Sequence, residues 1–267
     1  MAVYYFLIFI WLNIYLLARG LKSKNRNFNC KLFSAISMGI FLFLVMGLRH
    51  PTVGVDTLQY LYRYNNVVYP LDLNIFTKTE FLFHGFASIL KNIGVSDQGY
   101  LIIYALIISA FFTRFFYKYS TNIFLSFYLY LTIGLFTMSL SGMRQMVAIC
   151  IILLAFEFLM KNKFIPFVLC VLTAYNVHYS AICFLPVYFL RNLKITQKKG
   201  IVFLLITVST IALRFPIASI MKYLTPEKYM KYGILSDANP VNHLLIFIAF
   251  AIPAACLFFW KYKSCFN

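Results

Sequence analysis

Apolar runs of about 17–25 residues, the length an α-helix needs to cross roughly 30 Å of hydrocarbon, recur along this chain almost from end to end. They predict spans at Ala2–Ala18, Leu32–Leu48, Gly99–Phe116, Asn122–Leu140, Gln145–Met160, Phe164–Val177, Tyr179–Leu190, Ile201–Ile220 and His243–Trp260. Three stretches interrupt the pattern: the basic loop Arg19–Lys31, the long polar segment Arg49–Gln98 and the segment Met221–Asn242. The pattern reads as an all-α, polytopic integral membrane protein. It has about nine transmembrane or re-entrant helices, in a single domain over residues 1–267.

Basic residues orient these spans, because cytoplasmic loops retain Lys and Arg. Arg19, Lys22, Lys24, Arg26 and Lys31 assign the first loop to the cytoplasm. The segment after Leu48 balances Arg49, Arg63, Lys78 and Lys91 against Asp56, Asp72, Glu80 and Asp97, which assigns it to the outside. Arg114 with Lys118, Lys161 with Lys163, and Arg191, Lys194, Lys198 and Lys199 mark further inside loops. Lys261 and Lys263 put the C-terminus inside, and the N-terminus is then outside. Between Lys163 and Arg191 the run is too short for two full helices of about 20 residues each. It is expected to go up and come back as a short, tilted or re-entrant hairpin. Asn176 and His178 sit at its tip, where irregular backbone needs protein or a water-filled cavity around it. The competing reading, one long tilted helix, breaks the charge pattern.

Composition agrees with the pattern. Hydrophobic residues make up 62% of the chain and mean hydropathy is +0.81, above the level of soluble domains. The net charge of +17 lies in short loops between spans, which makes it a topology signal and excludes nucleic acid as the expected partner. The first 20 residues lack a basic n-region and a small-residue cleavage site, and read as a retained helix. Six cysteines are scattered, mostly within apolar runs, and none has metal-ligand spacing. No metal and no cofactor are expected; Gly-rich phosphate loops, HExxH and GxSxG are absent from the sequence.

On this topology Arg49, His50, Asp56, Arg144 and His178 all fall at the extracytoplasmic ends of their spans, and Arg214 joins them from the Ile201–Ile220 helix. Positive-inside bias alone would put these arginines on the other face. An arginine's planar fork matches phosphate oxygens in pairs. Gly142 ahead of Arg144 and Gln145 suggests a helix start, where free N–H groups also favour an anion. Arg144 therefore suits either an anion or an interhelical salt bridge. Arg49 suits either an anion or a side chain snorkelling to the interface. His178 suits a proton acceptor, a hydrogen bond to a substrate hydroxyl, or a cap on the hairpin tip. Asp56 suits a base or, more readily, a partner for one of the arginines. Glu157 lies four residues before Lys161, which predicts an intrahelical ion pair. Tyr60, Tyr62, Tyr64 and Tyr69 suit sugar stacking, or an amphipathic helix on the bilayer.

Three segments carry a resemblance. Gly47-Leu48-Arg49 is followed by Val53-Gly54-Val55-Asp56-Thr57 and Tyr60; next comes Ser141-Gly142-Met143-Arg144-Gln145-Met146-Val147-Ala148; last comes Asn176-Val177-His178-Tyr179-Ser180-Ala181. In order and spacing the chain resembles the EpsG-like branch of Wzy-type polysaccharide repeat-unit polymerases. The resemblance implies a multi-pass protein of the bacterial cell membrane, acting on its extracytoplasmic face in O-antigen, capsule or exopolysaccharide synthesis. The implied activity is that of a glycosyltransferase-type polymerase. It moves a growing glycan from one undecaprenyl-diphosphate-linked oligosaccharide onto another. The implied roles are diphosphate binding for Arg49, Arg144 and Arg214, and proton removal for His178 or Asp56. Gln145, Asn176 and Tyr60 would support them. A chain-length regulator and a flippase are the partners this implies. The rivals are a transporter or flippase of lipid-linked sugars, which would place ionisable groups near the midplane, and an acyltransferase or glycan ligase using similar outer residues. A purely structural membrane subunit would leave the outer arginines unexplained.

Overall fold

The computed structural model describes residues 2–24, 27–66 and 80–191. The expected spans Ile201–Ile220 and His243–Trp260 lie outside the described residues. Residues Met1–Leu185 form one compact unit and Pro186–Asn267 a second. Among the described residues the structure is helical throughout, with no strand. In chain order the helices are α1 (Ala2–Lys24), α2 (Cys30–Gly47), α3 (Thr57–Asn65), α4 (Phe81–Asn92), α5 (Asp97–Tyr119), α6 (Ile123–Thr132), α7 (Leu135–Ser141), α8 (Met143–Met160) and α9 (Phe164–Val177). A 3₁₀ helix over Tyr179–Phe184 closes the first unit, and α10 (Val187–Leu190) belongs to the second.

Four of these helices, α1, α2, α5 and α8, are long and apolar enough to cross a membrane. Their starts are cut by side-chain caps where the sequence supplies them. Asn29 accepts from the Leu32 amide at the head of α2, and Ser96 from the Gly99 amide at the head of α5. Each such cap is worth about 1 kcal/mol. At its other end α1 runs past the expected limit at Ala18, with Lys22 and Lys24 in its last turn, where cations complement the helix dipole.

The expected span Asn122–Leu140 is instead a broken one. Helices α6 and α7 meet at 56° across Gly134, whose φ of +92° is a left-handed conformation that glycine adopts without penalty. Counted as one span, the pair brings the total to five. Among the described residues, the segment Arg49–Gln98, expected as a polar stretch between spans, holds helices α3 and α4. Helix α9 has 14 residues, about 21 Å of rise, which is short of a full crossing. The chain turns back after it: His178 is extended, at φ −153°, and Phe184 stacks 5.8 Å from Phe167 near the start of α9. This reversal is the hairpin expected from the charge pattern, with His178 at its turn.

Two cores hold the first unit together. One joins α1, α2, α5, α6 and α8 through Leu7, Trp11, Met38, Leu42, Phe112, Phe127 and Met146. The other lies under α3 and α4 and is rich in tyrosine: Tyr60, Tyr64, Tyr100 and Tyr104 pack with Phe83, Met143, Ala174 and Val177. Tyr60 and Tyr64 are therefore core residues, while Tyr62 is exposed. Of the sequence alternatives for these tyrosines, an amphipathic helix fits α3; Tyr69 lies outside the described residues.

Where α5 and α8 end, Glu157 accepts from both Arg114 and Lys118, the latter at 2.6 Å. The expected pair with Lys161 does not form. Glu157 faces α5 across the helix interface, and Lys161 lies beyond the end of α8, exposed to solvent.

Candidate functional site

The opposite ends of α5 and α8 meet the termini of α2, α4 and α9, and the candidate residues gather there. Gln98, in the first turn of α5, donates to the carbonyl of Gly47 at the end of α2. Beyond Gly47 the chain makes the turn that carries Arg49 and Gly54. Gly54 has φ +99°, and a Cβ there would stand 2.3 Å from the Leu140 carbonyl oxygen. Only glycine allows that approach. The turn is clasped to the end of α7: Thr57 Oγ1 donates to Leu140 O at 3.1 Å, and the Val55 amide donates to Ser141 Oγ at 3.2 Å. Gly142 then separates α7 from α8 and caps the latter, so Arg144 projects from the first turn of α8.

Arg144 does not stand alone. Its Nη1 donates to Oε2 of Glu80, and its Nε donates to the Tyr60 hydroxyl at 3.3 Å. The other oxygen of the same carboxylate, Oε1, lies 2.6 Å from Nδ1 of His178. One acid thus joins the first turn of α8 to the turn after α9. Glu80 caps the start of α4 in a left-handed conformation, φ +66° and ψ +36°, which is uncommon for any residue but glycine, asparagine or aspartate. Its side chain is 5% exposed, against 25% for Arg144 and 17% for His178. Burial favours the neutral carboxyl, but the His178 hydrogen bond and the Arg144 charge prevail and hold Glu80 below its ordinary value of 4.5.

Arg49, in the turn after α2, is linked to α3 through Thr57. Its Nη2 donates to Thr57 Oγ1 at 3.5 Å and its Nη1 to the Met46 carbonyl at 3.4 Å, and Thr57 precedes Tyr60 by one turn of α3. It is buried, so the snorkelling alternative does not hold, and its Nε has no hydrogen-bond partner among the described residues. Burial pushes its pKa down to about 10, which leaves it cationic at neutral pH. A buried guanidinium with two long hydrogen bonds and no carboxylate partner among the described residues is a centre of uncompensated positive charge.

The structure brings together Arg144, His178 and Tyr60, and sets Arg49 one turn away along α3. It does not add Asp56, which is exposed at the start of α3 and makes no ion pair among the described residues. The pairing with an arginine expected for it is made by Glu80 instead. Asn176 turns its amide back onto the Leu172 carbonyl of its own helix at 2.8 Å. Gln145 is half-buried beside Gly142. His50 bonds locally to Thr52 at 2.8 Å. Arg214 lies outside the described residues. Glu80 is the residue that sequence reasoning missed. The available signal was scarcity: the chain has 7 acids against 24 basic residues, and an acid directly ahead of the apolar run Phe81–Phe83 is poised for burial beside a cation. Among the described residues no group of three His, Cys, Asp or Glu side chains is placed to hold a metal ion.

Chemically, the cluster offers a guanidinium whose second terminal nitrogen and an imidazole whose Nε2 make no hydrogen bond among the described residues. The model of the EpsG family matches residues 32–267. No curated protein and no solved structure matches the chain.

Proposed function

Because this chain belongs to the EpsG family, we propose that it polymerises lipid-diphosphate-linked oligosaccharide repeat units on the extracytoplasmic face of the bacterial cell membrane. Family membership points to polysaccharide biosynthesis, and the apolar helices make it a membrane protein. The observation that carries the finer reading is the meeting of Arg144 and His178 through one buried carboxylate, from segments 34 residues apart in sequence. A cation and a proton acceptor side by side are what glycosyl transfer from a diphosphate donor requires.

In the proposed reaction the acceptor sugar hydroxyl gives its proton to Nε2 of His178. Its oxygen bonds to the anomeric carbon of the donor glycan. The bond from that carbon to the lipid diphosphate breaks, and the diphosphate leaves with the electron pair. Arg144, with Arg49, stabilises the charge that develops on the leaving group. The donor is already activated, so no nucleotide site is needed. Asp56 is the alternative base, but its exposure, against the half-buried position of His178 beside Glu80, favours His178.

The test is glycan length in cells deleted for the gene and complemented with wild type, Arg144→Ala or Arg144→Lys. Lysine keeps a charge against Glu80 while losing the fork. Both variants are expected to accumulate single repeat units, with polymer reduced at least about 100-fold. Full-length polymer from Arg144→Lys or Arg144→Ala would remove Arg144 from the site, and unchanged polymer in the deletion would reject the activity.

The bent α6–α7 pair supports a second reading. Discontinuous helices form substrate sites in secondary transporters; if this chain moved lipid-linked sugars, repeat units stranded on the cytoplasmic face of the deletion strain would favour that reading.

A further inference from the structure

We infer that Glu80 is the positioning residue for His178: it fixes the imidazole with Nδ1 protonated and Nε2 bare toward the acceptor, and it stabilises the imidazolium that forms when Nε2 takes the proton. The inference rests on the polymerase reading and goes beyond it, since neither motif around Arg144 and His178 contains this acid.

Both carboxylate oxygens are committed, Oε2 to Arg144 and Oε1 to His178, so Glu80 is not itself the base. At 2.6 Å the contact to Nδ1 is a charge-assisted hydrogen bond. An ionised carboxylate only accepts, which makes Nδ1 the donor and leaves the lone pair on Nε2. The charges around the imidazole are balanced for this task. Glu80 comes from the start of α4 and Arg144 from α8; Tyr60 of α3 lies behind the guanidinium and Tyr179 stacks 4.9 Å away. Arg144 pairs with the same carboxylate from its other oxygen, and that carboxylate is in place when the proton arrives. The ordered backbone of Glu80 adds to this. A left-handed residue held by its surroundings at a site is a pre-organised one.

The experiment uses the full-length protein in liposomes with a lipid-diphosphate-linked repeat unit extracted from polymerase-deficient cells. Glu80→Gln, with Glu80→Asp as the conservative variant, is assayed for kcat, KM and pH profile. Glutamine can turn its amide toward Nδ1 and select the wrong tautomer, so kcat is expected to fall about 10²–10⁴-fold with KM nearly unchanged. The acid limb of the kcat/KM profile should change as well, because the carboxylate that faces the imidazolium is removed. Glu80→Asp should recover part of kcat and return the limb toward wild type. Unchanged kcat and limb in Glu80→Gln overturn the inference, as does a loss confined to folded yield that Glu80→Asp does not mend. If wild-type protein makes no polymer, the polymerase reading fails by itself. The imidazole ¹⁵N spectrum of His178, assigned by loss of its signal in His178→Gln, then decides the positioning: protonated Nδ1 in wild type supports it, and protonated Nε2 overturns it.

Discussion

Glu80 carries consequences at the scale of one residue. Its folded-state pKa lies below the ordinary 4.5, so the stabilisation it supplies is complete above that value and is withdrawn as the pH drops through the folded one. Unfolding midpoints in nanodiscs between pH 7 and pH 3 should fall more steeply for wild type than for Glu80→Gln. Parallel slopes would mean that the carboxylate is not held by its partners. This residue was illegible in the sequence for a physical reason. Its partners lie 64 and 98 positions away, and only tertiary packing decides which of the acids in this segment receives an arginine. Asp56, one residue before Thr57 in the first motif, looked the better acid, yet a residue at the exposed start of α3 stays in water.

At the scale of elements, two glycines give opposite tests of space and conformation. Gly54 and Gly134 both have positive φ, but a Cβ at Gly54 meets Leu140 O and Thr57 Oγ1, whereas nothing lies within 4 Å of one at Gly134. Gly134→Ala is expected to cost about 1–2 kcal/mol, the conformational penalty alone. Gly54→Ala should cost more and also loosen the clasp on α7. Equal losses in denaturant titrations would show that the clasp does not constrain the turn. The four long spans were legible because apolar length is a one-dimensional signal. The break at Gly134 was not, since a single glycine inside a run of hydrophobic residues leaves hydropathy almost unaltered. The Glu157 pairing failed for a related reason. Spacing of four along one helix names an available partner, but α5 offered two cations across the interface.

At the scale of the first unit as a whole, the polar chemistry among the described residues is divided between two ends. The Glu80 cluster occupies one and the Glu157 cluster the other. The proposed function places the Glu80 end outside, as expected from the basic loops, and labelling tests it. In a cysteine-free background, Asp56→Cys should react with a membrane-impermeant maleimide on intact cells, and Lys161→Cys only after permeabilisation; both positions are exposed. The reverse pattern would invert the topology and place the site in the cytoplasm. The same division has a mechanical side. Glu157 rivets α5 to α8 with two cations at one end, as the bow of a pair of tweezers joins its arms. Any relative movement of these helices that spares the rivet is a fanning motion with its stroke at the other end, where Arg144 and Gln98 sit. A bulky lipid headgroup arriving there would meet the arms where they travel furthest.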